Sequence, residues 1–504
     1  MSTELVDSVQ DVLTVSEEDF AATVEREAEQ LKDEIRDGTF DNPQAIVGLE
    51  YELYGVAEAD ASLRRMPRPL LELVNFEGEL GLHNAEFHTN PQPLNEFGLR
   101  AQQTEAQSRL EAAQTRARAE RIRLVSDGLW TVPPAGESAR TYLTDSVERD
   151  GVRITTNVAD DTRYQAMANA DTYAPKTRIE TPHVDLSTDV VMPKSLTTSI
   201  QPHYQVPHAP DLPERFRYAL RVAGPLLALG VNSPFFPPEL YDTDDAHVVL
   251  DDHWMENRIP VFEDVLNPES GEEKVRFPAD VTTVEEAVDR IAADPPLVPM
   301  RVESEGRFDD AFRHFEHKHG SFWRWVRPVF EGATTSSANA RIEFRALPAQ
   351  PTIRDSLAFV AAFAGLMESL PRRDHPVLAL DWDAARRNFY AAMRDGLDAD
   401  FQWITAKGED TDDTEEILTE LLAYARDGLT LRGLSEAEAD EYLDLLRTRV
   451  TGGITPAGWK RRELRRHVED GKPIAGAVRE MQASYVRRQS ETLVTGTFHD
   501  WLDD

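Results

Sequence analysis

Apolar and polar positions alternate with a period of two in "VGLEYELYGV", residues 47–56. This predicts a strand over 46–56 with Leu49, Tyr51 and Leu53 on one face and Glu50 and Glu52 on the other. A second strand-like segment spans about 79–89, and helical spacing then runs from about Leu99 to Leu124, stopping near Gly128. Residues 140–210 are rich in Thr, Val, Pro and Asp and read as strands joined by loops. A helix over 212–230 leads into "NSPFF". From "RIEFRAL" at 341–347 onward the pattern is helical, with helices predicted at 353–369, 383–396, 414–427 and 435–449. The last opens with a capping box, Ser435 and Glu438. Before the first strand, Leu31, Ile35 and Phe40 mark an acidic amphipathic helix. Strands in the first two thirds and helices closing the chain predict an α+β fold, a sheet with a site on one face and helices on the other. The expected parts are an N-terminal acidic helical extension over 1–40, a main domain over 41–460 and a C-terminal helical segment over 461–504. Prolines and "NPESGEE" make about 262–320 an exposed, lid-like excursion.

The 504 residues are 40% hydrophobic, enough for a large core, and contain no cysteine. Disulfides, thiolate metal sites and cysteine nucleophiles are excluded, and a reducing compartment fits best. The chain starts with acids rather than a basic leader, and the apolar run Leu357 to Met367 is too short to span a bilayer. A soluble cytoplasmic protein is expected. Asp and Glu total 91 against 54 Lys and Arg, a net charge of -37. Such acidity suits strong brine, where the Debye length falls to about 3 Å near 1 M salt. It argues against nucleic acid or an anionic membrane as partner.

Spacing discriminates functional acids from incidental ones. Residues i and i+2 of a strand share a face about 6.6 Å apart, so Glu50 pairs with Glu52 and Glu343 with Arg345. Gln201, His203 and Gln205 of "TSIQPHYQVP" line up in the same way, although Pro202 lacks a ladder donor. Glu79 and Glu86 are seven apart, an odd spacing that requires a bulge or turn near Gly81 before both can face one way. Converging carboxylates raise one another's pKa unless cations hold them. An all-oxygen set with one imidazole favours Mg²⁺ or Mn²⁺, usually shared with phosphates. The adjacent Arg suits a phosphate oxygen. Nucleotide phosphoryl chemistry is the expectation.

Other candidates carry less. "GITPAGWKRR" misses a P-loop, because Trp459 separates Gly458 from Lys460 and the preceding segment is helical. His314, His317 and His319 of "HFEHKHG" read as exposed helix-end histidines, since a closed zinc shell needs four convergent ligands. Trp323 and Trp325 read as core, and Asn232 and Asn388 as turn or helix-packing residues.

Several segments, in order, resemble the glutamate-cysteine ligases, in particular the carboxylate-amine ligase group of the glutamine synthetase superfamily. They are "GLEYELYGV", "ELGLHNAEFHTNP", "LLALGVNSPFF", "FWRWVRPVF", "ARIEFRALPAQPTIRDSLAFVAAFAGL" and "NFYAAMRDGLDADF". The composition itself resembles that of haloarchaeal proteins. The resemblance implies a curved antiparallel sheet with the active site on one face. It implies one metal held by Glu52, Glu79 and Glu86 and another by Glu50, His203 and Glu343, with Arg345 on the transferring phosphate. Arg258 and Arg327 are candidate anchors for the glutamate carboxylate or the phosphates. ATP and Mg²⁺ would serve to phosphorylate the γ-carboxylate of glutamate, which cysteine or another amine then attacks. A metal-assisted hydrolase and a non-catalytic relative also remain open, and oligomeric state is not legible.

Overall fold

The alternating run folds as the strand β1 (Ile46–Ala57), central to a curled antiparallel sheet. The structure is a computed structural model and describes residues 3–170, 177–267 and 272–502. The sheet adds β2 (Glu77–Gly78), β3 (Asn84–His88), β4 (Gln92–Pro93), β5 (Ile122–Val125), β6 (Ile200–Val206), β7 (Val326–Glu331) and β8 (Asn339–Phe344). Its order is β7-β8-β6-β1-β3-β2, with β4 and β5 paired to opposite ends of β1. Register sets Glu50 beside Gln201 and His88, Glu52 beside Glu86, and Glu343 beside His203 and Arg327. Acidic, amide and basic side chains thereby gather on one face.

Several boundaries differ from the sequence expectation, each for a local reason. The first 40 residues hold two helices, α1 (Thr3–Leu13) and α2 (Glu17–Arg36), because the Ser16 hydroxyl accepts from Asp19 N and starts the second. α3 (Glu96–Ala119) ends early: Arg121 takes a left-handed φ of 55° and "IRLV" pairs with β1 as β5. Among the described residues between 140 and 210 the main sheet receives β6 alone, and the others include short hairpins, 3-10 turns at Met192–Leu196 and Ala209–Asp211, and the short helices Ala139–Thr144 and α4 (Thr162–Met167). Asp161 caps α4 by accepting from Arg163 N and Tyr164 N. The helix expected over 212–230 forms as α5 (Leu212–Gly230), and along 262–320 lie much of α6 (Arg258–Leu266), α7 (Val284–Ala293) and α8 (Arg313–His319). α7 and α8 pack on α2, where Asp289 meets Lys32 at 2.7 Å and His314 meets Glu27 at 2.7 Å. Residues 268–271 of "NPESGEE" lie outside the described residues.

The sheet's apolar face rests on α9 (Ile353–Arg372), which the Thr352 side chain caps. Tyr204 OH donates to Glu368 Oε1 at 2.6 Å, and Phe344 lies 4.8 Å from Phe363. The apolar run 357–367 is therefore the core's central helix, and among the described residues no helix is long and apolar enough to cross a membrane. α10 (Thr414–Leu431) crosses α9 backbone to backbone, since a Cβ on Gly428 would collide with the Gly365 carbonyl. α11 (Pro456–Glu469) and α12 (Ile474–Thr492) reach β1 through a buried polar knot. Lys460 pairs with Asp127 and donates to Asn232 O at 2.6 Å, while Gln482 Nε2 lies 3.0 Å from Asp127 Oδ2 and 3.1 Å from Tyr54 OH. Lys460 of the near P-loop is thus a structural cation.

Two predictions follow from this packing. Gly428→Ala should lower stability by about 1–3 kcal/mol, read as a lower urea midpoint. Burial also pushes His83 and His319 down to about 3 and His253 and His317 down to about 4. An unfolded histidine takes up its proton near pH 6.5 while these stay neutral, so stability intact above that pH is lost as pH falls toward 4. The slope is about 1.4 kcal/mol per pH unit for each such group. Raised carboxylates such as Glu263, pushed up to about 7 by burial, act with the opposite sign in this window. The check is therefore relative: by denaturant midpoint, His253→Asn should lose less stability than the wild type between pH 7 and 5, and equal losses would contradict this.

Candidate active site

Two strand alternations and one tight turn build the polar face. Glu50 and Glu52 leave β1 on the same side, as their period of two requires. Asn84 N donates to Gly81 O at 2.9 Å, and Gly81 N donates to Asn84 Oδ1 at 3.2 Å. That turn sits where the odd spacing of Glu79 and Glu86 demanded one, and it swings Glu79 back over the sheet. Ligand atoms of Glu52, Glu79 and Glu86 then lie within 4.8 Å of one another, as do those of Glu50, His203 and Glu343. A third set, Glu50, Glu86 and His88, meets the same criterion and bridges the other two.

Basic groups close the row at both ends. Arg327 Nε lies 3.0 Å from Glu343 Oε2, and Arg345 pairs with the other oxygen while donating to Gln201 Oε1 at 2.6 Å. Lys194, from the turn at Met192–Leu196, lies 2.9 Å from Glu79 Oε2, and Leu80 N donates to that same oxygen at 2.8 Å. Ser199 N donates to Glu52 Oε2 at 2.6 Å. His203 Nδ1 accepts from Arg341 Nε at 3.0 Å. Its Nε2 is buried and 3.1 Å from Glu50 Oε1, yet off the line of a hydrogen bond.

Burial pushes each of these carboxylates up, and neighbours decide where each settles. For Glu343 the Arg327 and Arg345 guanidiniums outweigh burial and hold it well below the usual range. Lys194 likewise outweighs burial at Glu79, and the His203 and His88 imidazoles bring Glu50 below its usual value against burial and Glu343. Glu52 stays raised because its burial exceeds the pull of Lys194. Glu86 is pushed up to about 8 by burial, with Glu50, Glu79 and Glu52 adding to the rise. Its hydrogen bond raises His88 to about 9. The middle of the row is therefore short of positive charge.

Cavities open on both sides of Glu50, which lines each. One, of about 590 Å³, is walled by β1, β6 and the turn between β7 and β8, with His203, Arg341 and Ser337 on its surface. The other, of about 200 Å³, is lined by Glu79, Glu86, Lys194, Arg327 and Arg345 together with apolar Met167, Phe262, Leu266 and Trp323.

The structure thus gathers Glu50, Glu52, Glu79, Glu86, His203, Glu343, Arg327 and Arg345. Pro202 does not displace His203, because it takes a regular place in β6 opposite Leu49. Arg258 is the exception among the expected residues. It lines neither cavity and is spent on the backbone, donating to Arg345 O at 2.9 Å and Ala346 O at 2.6 Å while stacking on Trp325. The three histidines of "HFEHKHG" each have a separate partner, Glu27, Val298 O and Pro328 O, and His319 is buried rather than exposed. Asn232 and Asn388 bond backbone groups within the fold. Sequence reading missed Lys194, His88, Arg163 and Tyr164. Lys194 carried a usable signal, being one of only eight lysines in a chain where arginine supplies most positive charge.

Fold and family match together define an ATP-dependent carboxylate-amine ligase. The chain belongs to glutamate-cysteine ligase family 2 (GCS2), whose model matches residues 46–492. The chain is similar in fold to the crystal structure of the glutamate-cysteine ligase of Francisella tularensis in complex with AMP. That similarity has a TM-score of 0.53 at 12% identity and covers 90% of this chain and 91% of that one. A bifunctional glutathione synthetase from Pasteurella multocida aligns at a TM-score of 0.48 and 14% identity, over 92% of this chain and 55% of the other. The chain thus spans about half the length of that protein. No curated protein matches the chain by sequence.

Proposed function

We propose that the protein phosphorylates the γ-carboxylate of glutamate with ATP and joins it to the amine of cysteine, giving γ-glutamylcysteine, ADP and phosphate. The observation that carries this reading is the row of converging carboxylates, capped by Arg327 and Arg345, between two cavities of unequal size. The larger cavity has room for a nucleoside. The smaller lies below the roughly 300–1,000 Å³ of drug-sized pockets and suits amino acids. ATP also fits the glutamate-cysteine ligase similar in fold, which was solved with AMP.

The residues fit divalent metal. Their donors are carboxylate oxygens and one imidazole, and the buried His203 Nε2 lacks a hydrogen bond. Glu52, Glu79 and Glu86 would hold one ion and Glu50, His203 and Glu343 another. Mg²⁺ or Mn²⁺ there would supply positive charge against phosphate oxygens. For His203 to serve through Nε2 its proton must move to Nδ1, so Arg341 would give up its bond to the ring and keep its 2.8 Å pairing with Glu331.

In the first step a γ-carboxylate oxygen of glutamate bonds to the γ-phosphorus of ATP as the bond to the β-phosphate bridge breaks. Arg327 and Arg345 can offer guanidinium forks to the transferring group. In the second step the amine, having lost a proton, bonds to the acyl carbon and phosphate leaves. Met167, Phe262, Leu266 and Trp323 form the apolar part of the smaller cavity's wall and would shield one flank of the acyl phosphate from water.

The decisive assay is ADP release from purified protein with ATP, Mg²⁺ and glutamate, with and without cysteine, in molar salt. A panel of other amines under the same conditions checks the acceptor. Turnover without nucleotide would replace the ligase reading with a hydrolase. Glu343→Gln should lower kcat by about 10²–10³-fold with an unchanged circular dichroism spectrum. Arg345→Lys should lower it about tenfold or more, because a point charge cannot reproduce the fork. Mg²⁺ should raise the melting temperature of the wild type, and Glu86→Gln should blunt that rise in a thermal-shift titration.

A further inference from the structure

One cation in the smaller cavity is left without a partner. Arg163, on α4, lines that cavity beside Tyr164. The other basic groups on the wall are committed: Lys194 to Glu79 at 2.9 Å, Arg327 to Glu343 at 3.0 Å, and Arg345 to Glu343 and Gln201. Among the described residues the Arg163 side chain donates no hydrogen bond and forms no ion pair, including to the carbonyls at the end of neighbouring α8. A guanidinium drawn out of water without an acceptor is costly, so its retention calls for a ligand that completes it. Burial lowers its pKa, and the through-space pull of Tyr164, Asp161 and Glu79 does not restore it.

The opposite wall is cut to admit this side chain. A Cβ on Gly320, the residue after α8, would sit 3.0 and 3.1 Å from the two terminal nitrogens of Arg163. Any side chain at 320 would therefore push the fork aside. The planar fork matches a carboxylate through two parallel hydrogen bonds, and the apolar Met167, Phe262, Leu266 and Trp323 around it strengthen such a pair. A whole nucleotide is a poor fit to about 200 Å³, whereas small amino acids suit it. Resting on the ligase function above, we propose that Arg163 receives the α-carboxylate of an amino-acid substrate, making it a specificity-determining residue. The carboxylate belongs to glutamate or to the acceptor, which share this chemistry.

Truncated substrates tell the two apart. 4-Aminobutyrate keeps the reacting carboxylate of glutamate without its α-carboxylate, and cysteamine keeps the amine of cysteine without its carboxylate. In the wild type, one of these truncations should lower kcat/KM for ADP release by about 30- to 100-fold, the worth of one charge-assisted pair. Arg163→Met should raise KM for the carboxylated member of that pair by a similar factor and leave its kcat within about threefold. The preference over the truncated analogue should then vanish, and Arg163→Lys should recover part of it. The pair that collapses names the substrate. Calorimetric titration of glutamate and of cysteine reads the same contact without turnover. Binding lost in Arg163→Met in a protein that releases no ADP would support the carboxylate contact while removing the ligase reaction. Wild-type discrimination against both analogues in the Met variant, or unchanged titrations, would overturn the proposal. If Arg163→Met does not fold, Arg163→Lys carries the same comparison.

Discussion

Mutual repulsion among five buried carboxylates governs this molecule. Glu50, Glu52, Glu79, Glu86 and Glu343 face one another where water screens them weakly, and Arg327, Arg345 and Lys194 touch the row together with the His88 imidazole, which Glu86 raises to about 9. Five acids against three fixed cations and one imidazole leave a deficit, and it falls unevenly. Glu343 and Glu79 at the ends are held low by contact with cations, while Glu86 in the middle is pushed up to about 8. Added positive charge gains most where compensation is weakest, so an ion held by Glu52, Glu79 and Glu86, as proposed, would gain most at Glu86. The same imbalance makes the fold costly to assemble alone and more favourable once its ligands arrive.

Such a row can be held only from behind. β1 and β8, which contribute acids, and β6, which contributes His203, also carry residues on the opposite face that meet α9, through contacts such as Phe344 with Phe363 and Tyr204 with Glu368. A one-residue slip of any strand would bury its charges against α9 and turn its apolar side chains outward. The hydrophobic face therefore fixes the register of the catalytic face. Rigidity continues outward where Gly365 and Gly428 let α9 and α10 touch backbone to backbone, and where the Asp127 and Lys460 knot ties the last helices to β1.

How much of this was legible follows from the range of each signal. Alternation in β1 is local and puts Glu50 and Glu52 on one face, and the odd spacing from Glu79 to Glu86 is equally local and calls for the turn that forms at Gly81 and Asn84. The Ser435 and Glu438 capping box is local too and forms as read. Lys194 was hidden because it sits on a five-residue 3-10 turn, where no periodicity points at Glu79, 115 positions away. Arg163 and Tyr164 were hidden for the same reason, on a six-residue helix in a stretch that read as strands and loops. Arg258 shows the converse. An arginine in an apolar segment looked free for a substrate, yet backbone carbonyls at the end of β8 claim it, and only tertiary contact reveals that.

Placing Glu50 on the wall of both cavities constrains the order of events more than any single distance does. On the proposed function, a phosphoryl group entering from the larger side would cross the carboxylate row to reach Arg327 and Arg345, which line the smaller side. An amino acid on the smaller side meets apolar walls and the unpaired Arg163. In-line transfer needs attacking and leaving oxygens on opposite sides of phosphorus, and two cavities that meet at one carboxylate row supply that opposition without any motion of the sheet. The proposed acyl phosphate would then lie on the narrower side. There Phe262 and Trp323 would cover one flank of it opposite the ionic wall, and the narrow space would favour a small bound amine over bulk water as the attacking group.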